Sequence, residues 1–518
     1  MPNAHLANVS AEIRSLILAE LPKEALLACR LVCRILSAHA TPLAFRHVLL
    51  SARHAASADA FVRISETEHL RRLVQEVTCD TYVGDWCRYR GGKGYKPPAA
   101  FLAALPCLRH LRGLRALNIF FSRYTARRNV GMRFPTTLAV AETADFRFRV
   151  LHTVFQALRG TWARKMWIAL ALDLHLQGDG VDPVLYDGDG VGEGPIELES
   201  LAISNLSDFF DRRLTRTRAF HEVLASPSFK SLKLLFTHWE KEIEPELRLE
   251  LPDLYEAYQN LPLTWLEPGV ARNLTTLSLY DRHYFGWCPK LDLRLVGGLP
   301  NLRVLALGNY VFSHNWQVDW VAGLRSLREL YLDDCPILWR AIVRPPLDDE
   351  NYPTADAFSA DPNNDRIELG LPLRWHAVLA RWRDALAGHL RVFSMGSGDW
   401  DGKAQPDEQH NDDLAGRRVF LTYDQPPPSL PKSLSARGTP DPFISARYDG
   451  GVGLRRAREN VLQYVQFNVD RWVERDAGVL LLDDDEIGIQ FGVHTRALDE
   501  AALEDMRMSL TKVQVVDI

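Results

Sequence analysis

The chain has 518 residues, about three times a typical domain length, of which 47% are apolar and 25% charged, the make-up of a globular protein with more than one structural unit. Its 61 Lys and Arg against 66 Asp and Glu leave a formal net charge of −5, which gives no footprint for DNA, RNA or an anionic membrane. Seven scattered cysteines without a Cys-x-x-Cys pair exclude a zinc ribbon or a thioredoxin-type motif built on spacing, and fit reduced thiols inside a cell.

Met1 to Ser10 is polar, and Glu12, Arg14 and Glu20 interrupt the first apolar stretch, so no signal peptide is expected. No apolar run reaches the length of a membrane span. The expected location is cytoplasmic or nuclear.

Residues 9–45 read as closely spaced helices. Ser10 can cap the first, with Glu12 in its positive first turn. Ile13, Leu16, Ile17 and Leu21 recur at helical spacing, and Pro22 suits the start of a second helix carrying Leu26, Leu27, Leu31 and Val32. Thr41-Pro42 is expected to stop the run, because proline disfavours helix at the residue before it. So many apolar side chains exceed what such a short segment can bury alone, which points to a partner.

From about residue 70 the pattern Leu-x-x-Leu-x-Leu returns, at Leu114-Leu117-Ile119, Leu198-Leu201-Ile203, Phe229-Leu232-Leu234, Leu274-Leu277-Leu279, Leu302-Leu305-Leu307 and Leu327-Leu330-Leu332, with a degenerate copy at Leu390-Phe393-Met395. Its last two positions carry the period of a strand with one buried face. Leu327 to Cys335 matches the leucine-rich-repeat core, with Cys335 where a side chain can hydrogen-bond the turn. Copies starting at 274, 302 and 327 are 28 and 25 residues apart, whereas others are separated by 84, 45 and 63, which implies insertions or degenerate copies. Stretches 151–172, 254–260 and 374–387 read as helices for the opposite side.

Residues 178–195 and 397–446 are rich in Gly, Asp and Pro, and the second is expected to be a mobile loop. Residues 454–475 read as an amphipathic helix through Val461, Val465, Val469 and Trp472, and 498–510 as another helix, together closing the array as a cap.

Residues 9–50 resemble the F-box found at the start of many fungal F-box/leucine-rich-repeat proteins. Glu12, Ile13, Ile17, Leu21, Leu26-Leu27 and Val32-Cys33-Arg34 occupy the places of its pattern without a gap, while Val9, Ser10 and Leu36 depart from the usual leucine, proline and aromatic. The resemblance implies binding to a Skp-type adaptor, and through it to a cullin scaffold and a RING subunit, as the substrate receptor of an SCF-type ubiquitin ligase. Matching positions make Val9, Ile13, Ile17, Leu21, Leu26, Leu27, Val32 and Leu36 the adaptor-binding candidates, some of which must instead hold the helices together. The strand positions between buried leucines would face the captured protein, with Asn118, Tyr280, Tyr331 and Asp333 as its contacts. The alternative is an interaction scaffold acting outside any ligase.

No catalytic residue, cofactor or metal is expected. Asp187 to Gly192 starts like a calcium loop but Val191 and Leu198 stand where ligands belong, and Gly91 to Lys96 lacks the spacing of a phosphate loop. Cys29 and Cys33 read as a buried pair, and His221, His238 and His283 as isolated. An enzyme hidden in the last 120 or so residues would need a deep pocket with converging titratable groups. The expected architecture is an all-helical F-box (1–50) joined to an α/β, irregular leucine-rich-repeat-like solenoid (51–396), followed by a flexible loop (397–453) and a helix and strand cap (454–518).

Overall fold

The computed structural model describes residues 9–81, 98–121, 125–126, 142–163, 194–237, 251–358, 365–396, 462–468, 479–481 and 493–514. The helices are α1 (Ala11–Ala19), α2 (Lys23–Val32), α3 (Arg34–Arg46), α4 (Ala55–Glu66), α5 (Glu68–Arg71), α6 (Ala99–Ala104), α7 (Ala144–Arg159), α8 (Arg212–Thr215), α9 (Arg218–Leu224), α10 (Leu251–Asn260), α11 (Pro268–Ala271), α12 (Asn315–Ala322), α13 (Trp375–Ala385) and α14 (Val493–Gln514). The strands are β1 (His47–Ser51), β2 (Glu76–Asp80), β3 (Ala116–Phe120), β4 (Thr125–Ala126), β5 (Glu142–Thr143), β6 (Ser200–Ser207), β7 (Ser231–Thr237), β8 (Thr276–Phe285), β9 (Val304–Tyr310), β10 (Glu329–Asp333), β11 (Ile337–Val343), β12 (Ile367–Gly370), β13 (Val392–Gly396), β14 (Tyr464–Asn468) and β15 (Val479–Leu481).

One nine-stranded sheet runs in the order β1-β2-β3-β6-β7-β8-β9-β10-β13, with every neighbouring pair parallel. Its register aligns Val48, Val77, Leu117, Leu201, Leu232, Leu277, Leu305, Leu330 and Phe393 in one row. Leu50, Cys79, Ile119, Ile203, Leu234, Leu279, Leu307, Leu332 and Met395 form the next. Both rows face one core with α4, α6, α7, α9, α12 and α13. Each fully buried leucine contributes roughly 1.5–3 kcal/mol.

This corrects the expected fold class. The described residues form an α/β fold built on a large parallel sheet, not an all-helical F-box followed by an irregular leucine-rich-repeat solenoid. α3 ends at Arg46 and β1 begins at His47, so the helical segment feeds directly into the sheet. A second, mixed sheet of order β12-β11-β14-β15 stands outside the Leu pattern and has its own core of Trp287, Tyr352, Val465 and Phe467. The physical reason is that Leu-x-x-Leu-x-Leu specifies one strand with one buried face and says nothing of how the sheet closes or what is added beside it.

Two local expectations also fall. The helix expected over 454–475 is a strand where it is described, β14, because Tyr464, Val465 and Phe467 pair with β11 and bury there. Val461, Val469, Trp472 and the loop 397–453 lie outside the described residues. The helix expected over 151–172 starts earlier, at Ala144, and α7 ends at Arg159 before Gly160, whose φ is +81°, while 164–172 lie outside the described residues. Helices expected over 254–260, 374–387 and 498–510 correspond to α10, α13 and α14.

Polar contacts hold the ends of the strands. Arg147 of α7 pairs with Glu142 at 3.2 Å, both almost fully buried, and donates to the Asn205 carbonyl at 2.7 Å. Thr81, just past β2, also donates to Glu142. Within β6 and β9, Asn205 donates to Phe121 O at 2.8 Å and Asn309 to Asp281 O at 2.9 Å, and just past β10 Cys335 Sγ donates to Leu307 O at 3.3 Å. At the other end, Asp499 of α14 accepts from the His376 amide (2.8 Å) and the Tyr464 hydroxyl (2.6 Å), and its Oδ1 lies 2.6 Å from His376 Nδ1.

Gly308 of β9 is required by its neighbour, since a Cβ there would lie 1.9 Å from Tyr280 Cδ1 on β8. Gly308→Ala is therefore expected to cost about 1–3 kcal/mol by overpacking. Adding it to Tyr280→Ala should cost almost nothing more, as measured by denaturant unfolding of the two single variants and the double.

Candidate functional site

The N-terminal helices are the candidate site, because their sequence makes more apolar surface than they bury. Ser10 Oγ accepts from the Ile13 amide and starts α1. Pro22, at φ −64°, precedes α2, and Cys33, in extended conformation, separates α2 from α3. α3 continues through Pro42 to Arg46, so the proline does not stop it. One helical carbonyl near this point is satisfied by Thr41, whose hydroxyl donates to Ser37 O at 2.7 Å while accepting from Arg30 Nε at 3.0 Å.

The small core of these helices is Leu18, Leu26, Ala40 and Ala44, with Leu21, Cys29, Leu43 and Phe45 packed against it. Arg30 lies over the Phe45 ring, 4.6 Å from its centroid. The alanines allow α3 to approach closely, and they leave little room for anything else. Ile13, Leu16 and Ile17 on α1, Leu27, Leu31 and Val32 on α2, and Ile35 on α3 remain exposed, Leu31 by 88%. Seven of the thirteen exposed large apolar side chains among the described residues thus fall between positions 13 and 35. Exposure concentrated this way makes these helices the candidate site.

The structure divides the eight adaptor-binding candidates. Ile13, Ile17, Leu27 and Val32 are exposed, Val9 and Leu21 are half-buried, and Leu26 and Leu36 are buried. Leu16, Leu31 and Ile35 were missed, although Leu27 and Leu31 share a helical face by their spacing. Cys29 packs inward while Cys33 is exposed, so they do not form a buried pair.

The four candidates for the captured protein lie on the other face of the main sheet and are all buried. Asn118 donates to Glu76 (2.7 Å) and Thr78 (3.3 Å), Tyr331 donates to Glu329 at 2.7 Å, and Tyr280 packs with Leu235, Ala306 and Tyr331. Asp333 is fully buried. None of them offers exposed side-chain surface.

Polar contacts join the helices to the sheet, and one of them centres on His47. Lys23 of α2 donates to the His47 carbonyl at 2.8 Å, and His47 Nε2 lies 3.0 Å from Thr78 Oγ1 on β2. Burial, and then the Lys23 ammonium, push the His47 imidazole down to about 3. Burial also holds the Lys23 amine below its usual range.

Among the described residues no group of three His, Cys, Asp or Glu is placed to hold a metal, and no helix is long and apolar enough to cross a membrane. His221 is not isolated, since Nδ1 lies 3.1 Å from Glu267 and Nε2 2.7 Å from Thr215 O. His238, the calcium-like loop and the glycine-rich 91–96 segment lie outside the described residues. A cavity of about 60 Å³ between α13 and α14, lined by Trp382, Leu386, Leu390, Met506 and Leu510, has room for water rather than a substrate. The chain matches no protein-family model and no curated protein.

The His47 junction makes stability depend on pH. The folded state keeps this imidazole neutral down to about 3, whereas the unfolded chain protonates it near 6.5. Its contribution is complete above the unfolded value and is lost as pH falls from there toward 3, at up to about 1.4 kcal/mol per pH unit. His47→Gln should therefore flatten the pH dependence of the unfolding free energy between pH 6.5 and 4, and parallel profiles for the two proteins would contradict this.

Proposed function

We propose that this chain is a non-enzymatic adaptor that docks a Skp-type protein through α1–α3 and holds a second protein elsewhere on its surface, acting as the substrate receptor of an SCF-type ubiquitin ligase. The observation that carries this reading is the exposure of Ile13, Leu16, Ile17, Leu27, Leu31, Val32 and Ile35 on three consecutive helices. Burying such side chains in a partner is worth roughly 1.5–3 kcal/mol each before the costs of association. The resemblance of residues 9–50 to the F-box supplies the identity of the partner. In this role the chain needs no catalytic residue, because the RING subunit recruits the ubiquitin-conjugating enzyme.

A direct test is co-precipitation of the full chain with a purified Skp-type adaptor. Leu31→Asp/Val32→Asp changes two exposed positions, so the helices should still fold, and binding should fall by at least about thirtyfold, the weight of one interface hot spot. Leu26→Asp is a poorer probe because Leu26 belongs to the small core of these helices. Failure of the wild-type chain to bind the adaptor would overturn the reading. Binding of the adaptor without cullin would favour a scaffold acting outside any ligase.

A further inference from the structure

The main sheet ends in two outer strands, and the two edges differ. A residue in a parallel ladder turns its N–H and its C=O toward the same neighbour, so alternate residues of an outer strand face away from the sheet. On β1 the Ala52 amide bonds Asp80 O and Arg46 O accepts from Gln75, which leaves His47, Leu49 and Ser51 facing outward. Side chains meet their backbone groups there. Lys23 Nζ donates to His47 O at 2.8 Å, and Ser57 Oγ donates to Leu49 O at 3.1 Å while accepting from the Ser51 amide at 2.9 Å.

β13, at the other edge, has no such cover among the described residues. The Val392 amide donates to Arg328 O at 3.0 Å, so Val392 and Ser394 face β10 through their backbone while Phe393 and Met395 present theirs outward. No described strand or side chain takes up these outward groups. Phe393 and Met395 are half-buried, whereas Leu330 and Leu332, one strand earlier in the same rows, are 0% and 1% exposed. α14 lies along α13 instead, with Asp499 at His376 and Asp505 at Arg383, and so belongs to the helical layer.

Outer strands are usually blunted by charge, proline or a covering element. The side chains of β13, Val392, Phe393, Ser394 and Met395, carry no charge. β12, at one end of the second sheet, is blunted by charge. There the Leu371 amide bonds Trp339 O, which turns Glu368 outward, and that residue pairs with Arg340. The edge of β13 instead has the hydrogen-bonding groups and the apolar rows of a sheet that continues.

We propose that two copies of this chain pair through β13, antiparallel about a two-fold axis at Ser394, and join their main sheets. In that register Phe393 of each copy lies opposite Met395 of the other, and each such pair exchanges both backbone hydrogen bonds. The alternation puts all four side chains on the core side, so the two apolar rows of one copy run into those of the second. A head-to-tail arrangement is disfavoured because the β1 edge is already taken up, which leaves the closed, self-complementary pairing. The inference is independent of the adaptor reading, since it uses neither α1–α3 nor the F-box resemblance.

Sedimentation velocity of the full chain over a range of concentrations should show a dimer whose share rises with concentration. Ser394→Lys sets two ammonium groups face to face on the axis without touching the core, and should weaken the dimer by about tenfold or more. Its melting temperature should stay that of the wild type, which separates loss of pairing from loss of fold. Ile367→Lys, on β12, should leave the dimer unchanged. Residues facing each other on the axis form a non-hydrogen-bonded pair with Cα atoms about 4.5 Å apart. Ser394→Cys should therefore cross-link to a covalent dimer under mild oxidation, in a Cys33→Ser background that removes an exposed thiol. A monomer at every concentration, an equally strong dimer of Ser394→Lys, or no cross-linking of Ser394→Cys would overturn the proposal.

Discussion

The backbone bond that links the residue before each strand to the residue before the previous one sets where everything else can sit. It repeats from Gln75 to Arg391 with hardly any change in length. Each strand is thereby laid beside its predecessor in register, and the two apolar positions inside it fall into line with those of its neighbours. The side chains along these rows are buried on one side by helices of very different length. The core tolerates that irregularity because the strands, not the helices, keep the order.

Much of the sheet was legible in the sequence. Leu277 and Leu279, Leu305 and Leu307, and Leu330 and Leu332 are strand positions facing the core, as their alternation requires. Cys335, expected to bond the turn, instead donates to the Leu307 carbonyl within the neighbouring strand β9. β1 and β2 were not legible as members of the same sheet, because their copies of the pattern, Phe45-Val48-Leu50 and Val74-Val77-Cys79, hold one leucine between them. β14 was misread since Val461, Val465 and Val469 satisfy a helical period as well as Tyr464, Val465 and Phe467 satisfy a strand. Only pairing with β11 decides between them, and pairing is a long-range property.

Helices α1–α3 were legible as a segment but not residue by residue. A short chain rich in Leu and Ile announces a surplus of apolar surface, yet the pattern does not say which side chains face inward. Ala40 and Ala44 decide this by bringing α3 close, so Leu18 and Leu26 fill the interior and Leu31 is left outside. The buried fates of Asn118, Tyr280, Tyr331 and Asp333 were equally invisible, because alternation assigns them a face of the sheet without saying what lies over it.

The strict agreement between strand order and chain order bears on how the molecule is made. Parallel sheets usually require distant segments to meet, which slows folding. Here each new strand needs only the one synthesised before it, apart from the insertions between them. A nascent chain released as far as Asp333 already holds every strand of the main sheet but the last, and the growing product carries one unsatisfied edge that moves forward with translation. β13 closes that advance late, after the rest of the sheet is in place.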